Sequence, residues 1–324
     1  MALYIITQSS FYAILCASFV GTNTCSLLLW YAVHRRRTDI GQFFFQSFRI
    51  SFLLPKIQNI PQRTINLCLI FSTLIPIISA ILSTAFLHDA VDEHKEFYNF
   101  FIDFKDHEVS GYIFRAILGT LCFISVFGFP AFIAVVCGTI YYHYSELLSG
   151  FCGKITDYGK KNICHELSLK LMKCHEFLCR MSLEIEDTLS LIVLILLCCQ
   201  TLSMYIALSS LVLFNFNNAP ASIKWQCIPA VTLIPASLIG VNLCASRISS
   251  QIECIQASLQ TVRNNLFAKS ETHGKIVSFL GMMMETKFAP MTAGGVLELK
   301  KGLILTVFGS LFTYGLLIIN IKNE

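Results

Sequence analysis

The chain has 324 residues, of which 55% are hydrophobic and only 14% charged. Soluble globular chains carry roughly 25% charged residues, so this one cannot clothe a water-facing surface, and its 27 Phe exclude a solvated coil. A formal net charge of +4 argues against nucleic-acid binding, which leaves an all-α, polytopic helical membrane protein whose first partner is the lipid bilayer.

A helix needs about 20 mostly apolar residues to cross the hydrocarbon core. Six runs meet that need: about 10–33, 65–87, 116–142, 188–214, 227–246 and 303–321. None alternates with period two, as a barrel strand would. The segment 39–58 is also apolar, but Arg49 and Pro55 suit an interfacial helix better. Pro130, Pro229 and Pro235 are expected to kink their spans.

Lysine and arginine set the direction. The connections 34–64, 143–187 and 247–302 together hold 19 of the 24 basic residues. These are alternate loops, so they share one side, expected to be cytoplasmic. An even number of spans then puts both termini outside. The apolar start precedes His34-Arg35-Arg36-Arg37, the reverse of a signal peptide's charge order. The outer loop 89–110 is acidic, with Asp89, Asp92, Glu93, Glu96, Asp103, Asp106 and Glu108. It reads as a solvated loop or as a vestibule that concentrates cations.

In the basic loops, apolar residues recur at helical spacing. Ile163, Leu167, Leu171, Cys174, Leu178, Met181, Ile185 and Leu189 form one stripe. Ile248, Ile252, Ile255, Leu259, Val262 and Leu266 form another, and Ile276, Leu280, Met283 and Met284 a third. The spans are therefore expected to run on as helices into a cytoplasmic bundle, packed within the chain or between subunits. The chain reads as one transmembrane unit, 1–324, with anchor-like segments 143–187 and 247–302.

Most catalytic chemistries find no footing, and no enzyme, metal or cofactor is expected. Cys174, His175 and Cys179 lack a fourth ligand at zinc spacing and read as a Cys-rich helix face. His165-Glu166 and His175-Glu176 do not extend to HExxH. There is no Walker loop, GxSxG or GxGxxG. The 14 cysteines lie mostly in spans or on the basic side, and neither place favours disulfides.

Polar groups inside spans must face a partner or a cavity. Tyr12, Ser83, Thr120, Gln200, Tyr205 and Thr232 lie in the outward halves, with Arg115, Trp225 and Gln226 at the outer edge. Together they suit an apolar pocket with a few polar contacts for a small organic ligand. For each, the competing role is an interhelical hydrogen bond, and for Trp225 an interfacial anchor.

The last span reads Thr313-Tyr314, five hydrophobic-type positions, then Asn320-Ile321. This resembles the terminal signature of the arthropod gustatory receptors, with Asn320 and Ile321 at positions where that family usually has Gln and Phe. Phe288-Ala289, Gly294-Gly295, Leu297 and Gly309 look like the same family's final-helix region. The resemblance implies the insect chemoreceptor superfamily: seven-helix, ligand-gated, non-selective cation channels for tastants or odorants. In such proteins four subunits, alike or mixed, surround a pore lined by the last helix. Here Leu317, Asn320 and Ile321 would stand at the gate, where a hydrophobic ring closes by dewetting. Six spans against the family's seven imply that the first family helix has no counterpart. Rival readings are a G-protein-coupled receptor or a small-molecule transporter. The first lacks Asp/Glu-Arg-Tyr and Asn-Pro-x-x-Tyr, and the second lacks internal repeats.

Overall fold

The computed structural model describes residues 20–51, 62–86, 108–160, 165–213, 221–267 and 274–323. The first described helix, α1, covers residues 20–35; residues 10–19 of the first predicted span lie outside the description, as does most of the acidic loop 89–110. At Arg36 the chain makes a single turn residue and continues as α2, Arg37–Ser51. Arg36 ties this corner down by pairing with Asp39 at 3.4 Å and with Asp187 at 3.1 Å. The apolar stretch around Arg49 is therefore a separate helix, its Phe43 buried in the core.

Helix α3, Gln62–Phe86, buries a face of small residues: Ser72, Pro76, Ser79, Ala80, Ser83 and Thr84. Small residues let helices approach closely in lipid, where there is no hydrophobic force between them. The approach is visible at Gly128, where a Cβ would lie 3.3 Å from the Ser72 carbonyl oxygen.

The helix through the third predicted span, 116–142, runs on at both ends. Helix α4, Glu108–Phe123, passes through a π-turn, Ile124–Gly128, into α5, Phe129–Lys160. The cause is Pro130, which has no N–H for residue 126 and whose ring crowds the preceding turn. The chain answers by widening: the Phe129 N–H donates to the Ile124 carbonyl, five residues back. Pro130 thus produces a π-turn in a helix that continues past it.

Helix α5 goes on to Lys160 because its apolar stripe does. Tyr141, Tyr144, Leu148, Phe151, Ile155 and Tyr158 recur at three- and four-residue steps and are all buried. Helix α6, His165–Leu213, and helix α7, Ala221–Phe267, are unbroken runs of 49 and 47 residues. At about 1.5 Å per residue each exceeds 70 Å, roughly twice a bilayer's hydrocarbon core. Pro229 and Pro235 lie inside α7 without ending it. Helix α8, Gly274–Glu285, carries the third stripe, with Ile276, Leu280 and Met283 buried. A short antiparallel hairpin follows, β1 (Thr292–Ala293) and β2 (Leu297–Glu298), and then α9, Lys301–Asn323.

Five helical runs among the described residues are long and apolar enough to cross a membrane: Gln62–Phe86, Ser110–Gly159, Glu166–Val212, Lys224–Phe267 and Lys301–Asn320. One apolar cluster links α1, α2, α5, α6, α7, α8 and the start and middle of α9.

Candidate ligand pocket and pore helix

The expected pocket residues divide into two groups. The first gathers around the C-terminal end of α3. Gln226 of α7 donates through Nε2 to Ser83 Oγ at 3.4 Å. One residue earlier, Trp225 stacks on Phe86, with ring centroids 6.2 Å apart and planes 7° from parallel. On the other flank, α4 brings Gly119 against α3, so that a Cβ there would sit 3.6 Å from Thr84 Oγ1. Arg115 lies one turn before Gly119 and is half-buried. Thr120, also half-buried, donates to the Ala116 carbonyl of its own helix at 2.7 Å. Thr232 does the same toward Ile228 and is exposed. Tyr12 lies outside the described residues.

The second group turns away from that corner. Gln200 is only 1% exposed. Its Nε2 donates to Ser237 Oγ at 2.7 Å, joining α6 to α7, while its Oε1 has no hydrogen-bond partner. Tyr205 faces the last helix. Its hydroxyl donates to Ser310 Oγ at 2.9 Å, and its ring meets Tyr314 edge-on at 4.7 Å. One turn on, Ser209 Oγ and the Tyr314 hydroxyl are 3.2 Å apart.

Helix α9 touches α6 and α7 along one narrow face. Gly315 is buried there because a Cβ would come within 3.2 Å of Leu208 Cδ2. Leu303, Val307, Phe308 and Leu311 pack on the core, and much of the remaining apolar surface is uncovered: Leu305 is 77% exposed, Phe312 70% and Leu317 54%. Thr313 donates to the Gly309 carbonyl at 3.0 Å and is exposed, as is Asn320. Ile321 lies in the last turn of the helix, with its side chain outside the description.

A clamp that sequence reading missed fixes the segment entering α9. Three α6 side chains spaced four residues apart grip it. Ser182 Oγ accepts the Ala289 N–H at 3.0 Å. Glu186 accepts the Thr292 N–H at 2.9 Å and also the Thr292 hydroxyl. Ser190 accepts the Gly295 N–H at 3.0 Å through its Oγ and the Gly294 N–H at 2.9 Å through its carbonyl. The turn needs glycine: Gly294 and Gly295 have φ of 66° and 72°, a region side chains rarely tolerate. The visible signal was a polar row, Ser182, Glu186 and Ser190, at i, i+4 and i+8 beside an apolar stripe.

One further polar contact lies between the long helices, and a buried imidazole lies on α6. Glu146 on α5 pairs with Arg247 on α7 at 2.6 Å, and the guanidinium lies 5.0 Å above the Tyr142 ring. His175 is 2% exposed, set between Phe151 and Phe288. Its Nδ1 is 3.7 Å from Cys179 Sγ. Burial pushes this imidazole down to about 4.

These features define a multi-pass helical membrane protein with a long-helix bundle and a peripheral last helix. The model of the 7tm chemosensory receptor family matches residues 4–323, and the chain belongs to that family. Its fold is that of the insect olfactory receptor OR5 from Machilis hrabei. The structure of that receptor in complex with eugenol aligns with a TM-score of 0.65 and 11% identity, covering 94% of this chain and 79% of the other. A second structure of the same receptor aligns with a TM-score of 0.60 and 11% identity, covering 94% and 80%. No curated protein matches the sequence.

Proposed function

We propose that the chain is a gustatory-type receptor subunit: a ligand-gated, non-selective cation channel opened by a small organic tastant or odorant. Four subunits, identical or mixed, would place their α9 helices around a common pore, with Leu317, Asn320 and Ile321 at the gate. The observation that carries this reading is the uncovered α9. An apolar helix held by one polar-edged seam and otherwise bare has its partners elsewhere, in lipid or in further copies of itself. The Thr313-Tyr314 signature supports the gustatory rather than the olfactory branch.

The ligand would enter the corner formed by Ser83, Arg115, Thr120, Trp225 and Gln226, with Tyr12 as a further wall. Gln200 would lie deeper, where its unpaired carbonyl offers an acceptor. Tyr205 would act as a relay, since it touches the last helix through Ser310 and Tyr314. A ligand shifts the gate only as far as it binds the open state more tightly than the closed one. The chain would form one receptor unit in the plasma membrane, its basic segments 143–187 and 247–302 cytoplasmic and its C-terminus outside.

The test is ligand-evoked current from the purified protein in a planar bilayer. Replacement of Asn320 or Ile321 is expected to change conductance or gating. Ligand binding without current would overturn the channel reading, and unchanged currents in those variants would remove α9 from the gate. Glycosylation mapping checks the orientation: a modified tag at the C-terminus is expected, and one on the 143–187 segment would reverse it.

A further inference from the structure

Helices α5 and α7 run parallel, and their contacts step along both in the same register. Glu146 meets Arg247. About two turns on, Cys152 meets Cys254. About two turns further, Gly159 meets Val262, so closely that a Cβ on the glycine would lie 2.9 Å from Val262 Cγ2. The two sulfurs are 2.8 Å apart. An ion pair on one side and a backbone-close contact on the other hold them at that register. Their nearness therefore follows from helix packing rather than from one rotamer.

We propose that Cys152 and Cys254 form a reversible dithiol–disulfide switch that staples α5 to α7, with a peroxide as the oxidant. Both are free thiols, and they differ in access in the way a two-step oxidation needs. Cys254 is exposed, while Cys152 is 6% exposed and covered by its neighbour. The Cys254 thiol gives up its proton, the thiolate attacks one oxygen of hydrogen peroxide, the O–O bond breaks, and hydroxide leaves and takes up that proton as water, so that Cys254 becomes a sulfenic acid. The Cys152 sulfur then attacks the Cys254 sulfur. The S–S bond forms, the S–O bond breaks, and the hydroxyl leaves as water with the Cys152 proton. The pair has lost two electrons and the peroxide has gained them. Ser258 Oγ, 3.5 Å from Cys152 Sγ, is placed to hydrogen-bond the attacking sulfur. A small-molecule thiol reverses the reaction by exchange at the exposed Cys254.

The consequence is mechanical. The reduced seam can slide or splay by the small shifts that packed helices allow. The oxidised seam cannot separate at this level. The inference does not depend on the channel reading, because its primary readout is chemical.

The experiment uses the full-length protein in lipid nanodiscs, treated with hydrogen peroxide, blocked with an alkylating agent and digested without reductant. The expected product is a cross-linked peptide pair containing Cys152 and Cys254, two hydrogens lighter than the separate peptides and split by added thiol. In Cys152→Ser the Cys254 sulfenic acid has no resolving partner, so a 1,3-dione probe should label Cys254 at least tenfold more than in the wild type. If both cysteines remain separately alkylated after peroxide has oxidised other thiols, the proposal is overturned. Equal dione labelling of Cys254 in wild type and Cys152→Ser also overturns it. Cys152→Ala, which keeps a small side chain at that point, serves in place of the serine variant if the latter fails to fold, and predicts the same labelling.

Discussion

Tyr205 of α6 and Tyr314 of α9 meet edge to face, with ring centroids 4.7 Å apart at 89°. The contact joins a residue expected to line a pocket to the residue that anchors the C-terminal signature. With the Tyr205–Ser310 and Ser209–Tyr314 hydrogen bonds it forms much of the polar seam between α9 and the bundle. Edge-to-face rings add about 0.5–1.5 kcal/mol beyond the area they bury. Replacing both rings with alanine, singly and together, should give a coupling energy of about 1 kcal/mol in detergent unfolding. Strict additivity would mean that the rings do not interact.

The α6 clamp predicts site-resolved hydrogen exchange. The Thr292 N–H is held by the Glu186 carboxylate, and the Ala289 N–H by Ser182. Glu186→Ala should release the Thr292 amide and cost about 2 kcal/mol, as expected for a hydrogen bond to a charged group. The Ala289 amide should keep its protection. Uniform loss across 289–295 would mean that the hairpin opens as a unit.

The adjacent glycines should respond differently. Gly294→Ala meets both a positive φ and Leu194, whose Cδ2 lies 2.5 Å from the new Cβ. Gly295→Ala meets only the φ, with nothing within 4 Å. The second should cost about 1 kcal/mol and the first distinctly more. Leu194→Ala should recover the steric share of the Gly294→Ala loss and leave the conformational share. Thermal unfolding of the four variants decides this.

Breaking the Glu146–Arg247 pair should hurt more from one side than from the other. Glu146 is buried and Arg247 partly exposed. Arg247→Ala leaves a carboxylate without its partner in the bundle, at a cost of about 3 kcal/mol. Glu146→Gln leaves a guanidinium that can still reach water and the Tyr142 face, and should cost less. Denaturation midpoints of the two variants rank them.

His175 predicts a pH dependence. Its folded pKa lies near 4, below the usual value of about 6.5 for an unfolded histidine. Between those values the unfolded chain binds more protons, so this residue makes stability fall as pH falls from about 6.5 toward 4. His175→Phe should flatten that part of the stability profile. An unchanged slope between pH 7 and 5 would show that the ring is not held neutral.

Much of the helical plan was legible in the chain itself. Length, low charge and apolar runs determined a membrane protein. The three- and four-residue recurrence of Leu178, Met181, Ile185 and Leu189 determined that α6 would begin well before its most apolar run, since only a helix puts such residues on one face. The stripe after residue 142 is just as regular, but the hydropathy falls there before the helix ends at Lys160. Other features depended on which helices become neighbours. Nothing in the sequence placed Tyr205 beside α9, where its hydroxyl meets Ser310 and its ring meets Tyr314. Gly294-Gly295 carried a family likeness, but no sign that they would form a turn held by Ser182, Glu186 and Ser190. Cys152 and Cys254 are 102 residues apart, and periodicity within one helix says nothing about register between two. Local sequence determines how each helix is built and which face it hides. The pairing of those faces is a property of the whole packed bundle, and the ion pair, the clamp and the two thiols exist only once that packing brings them together.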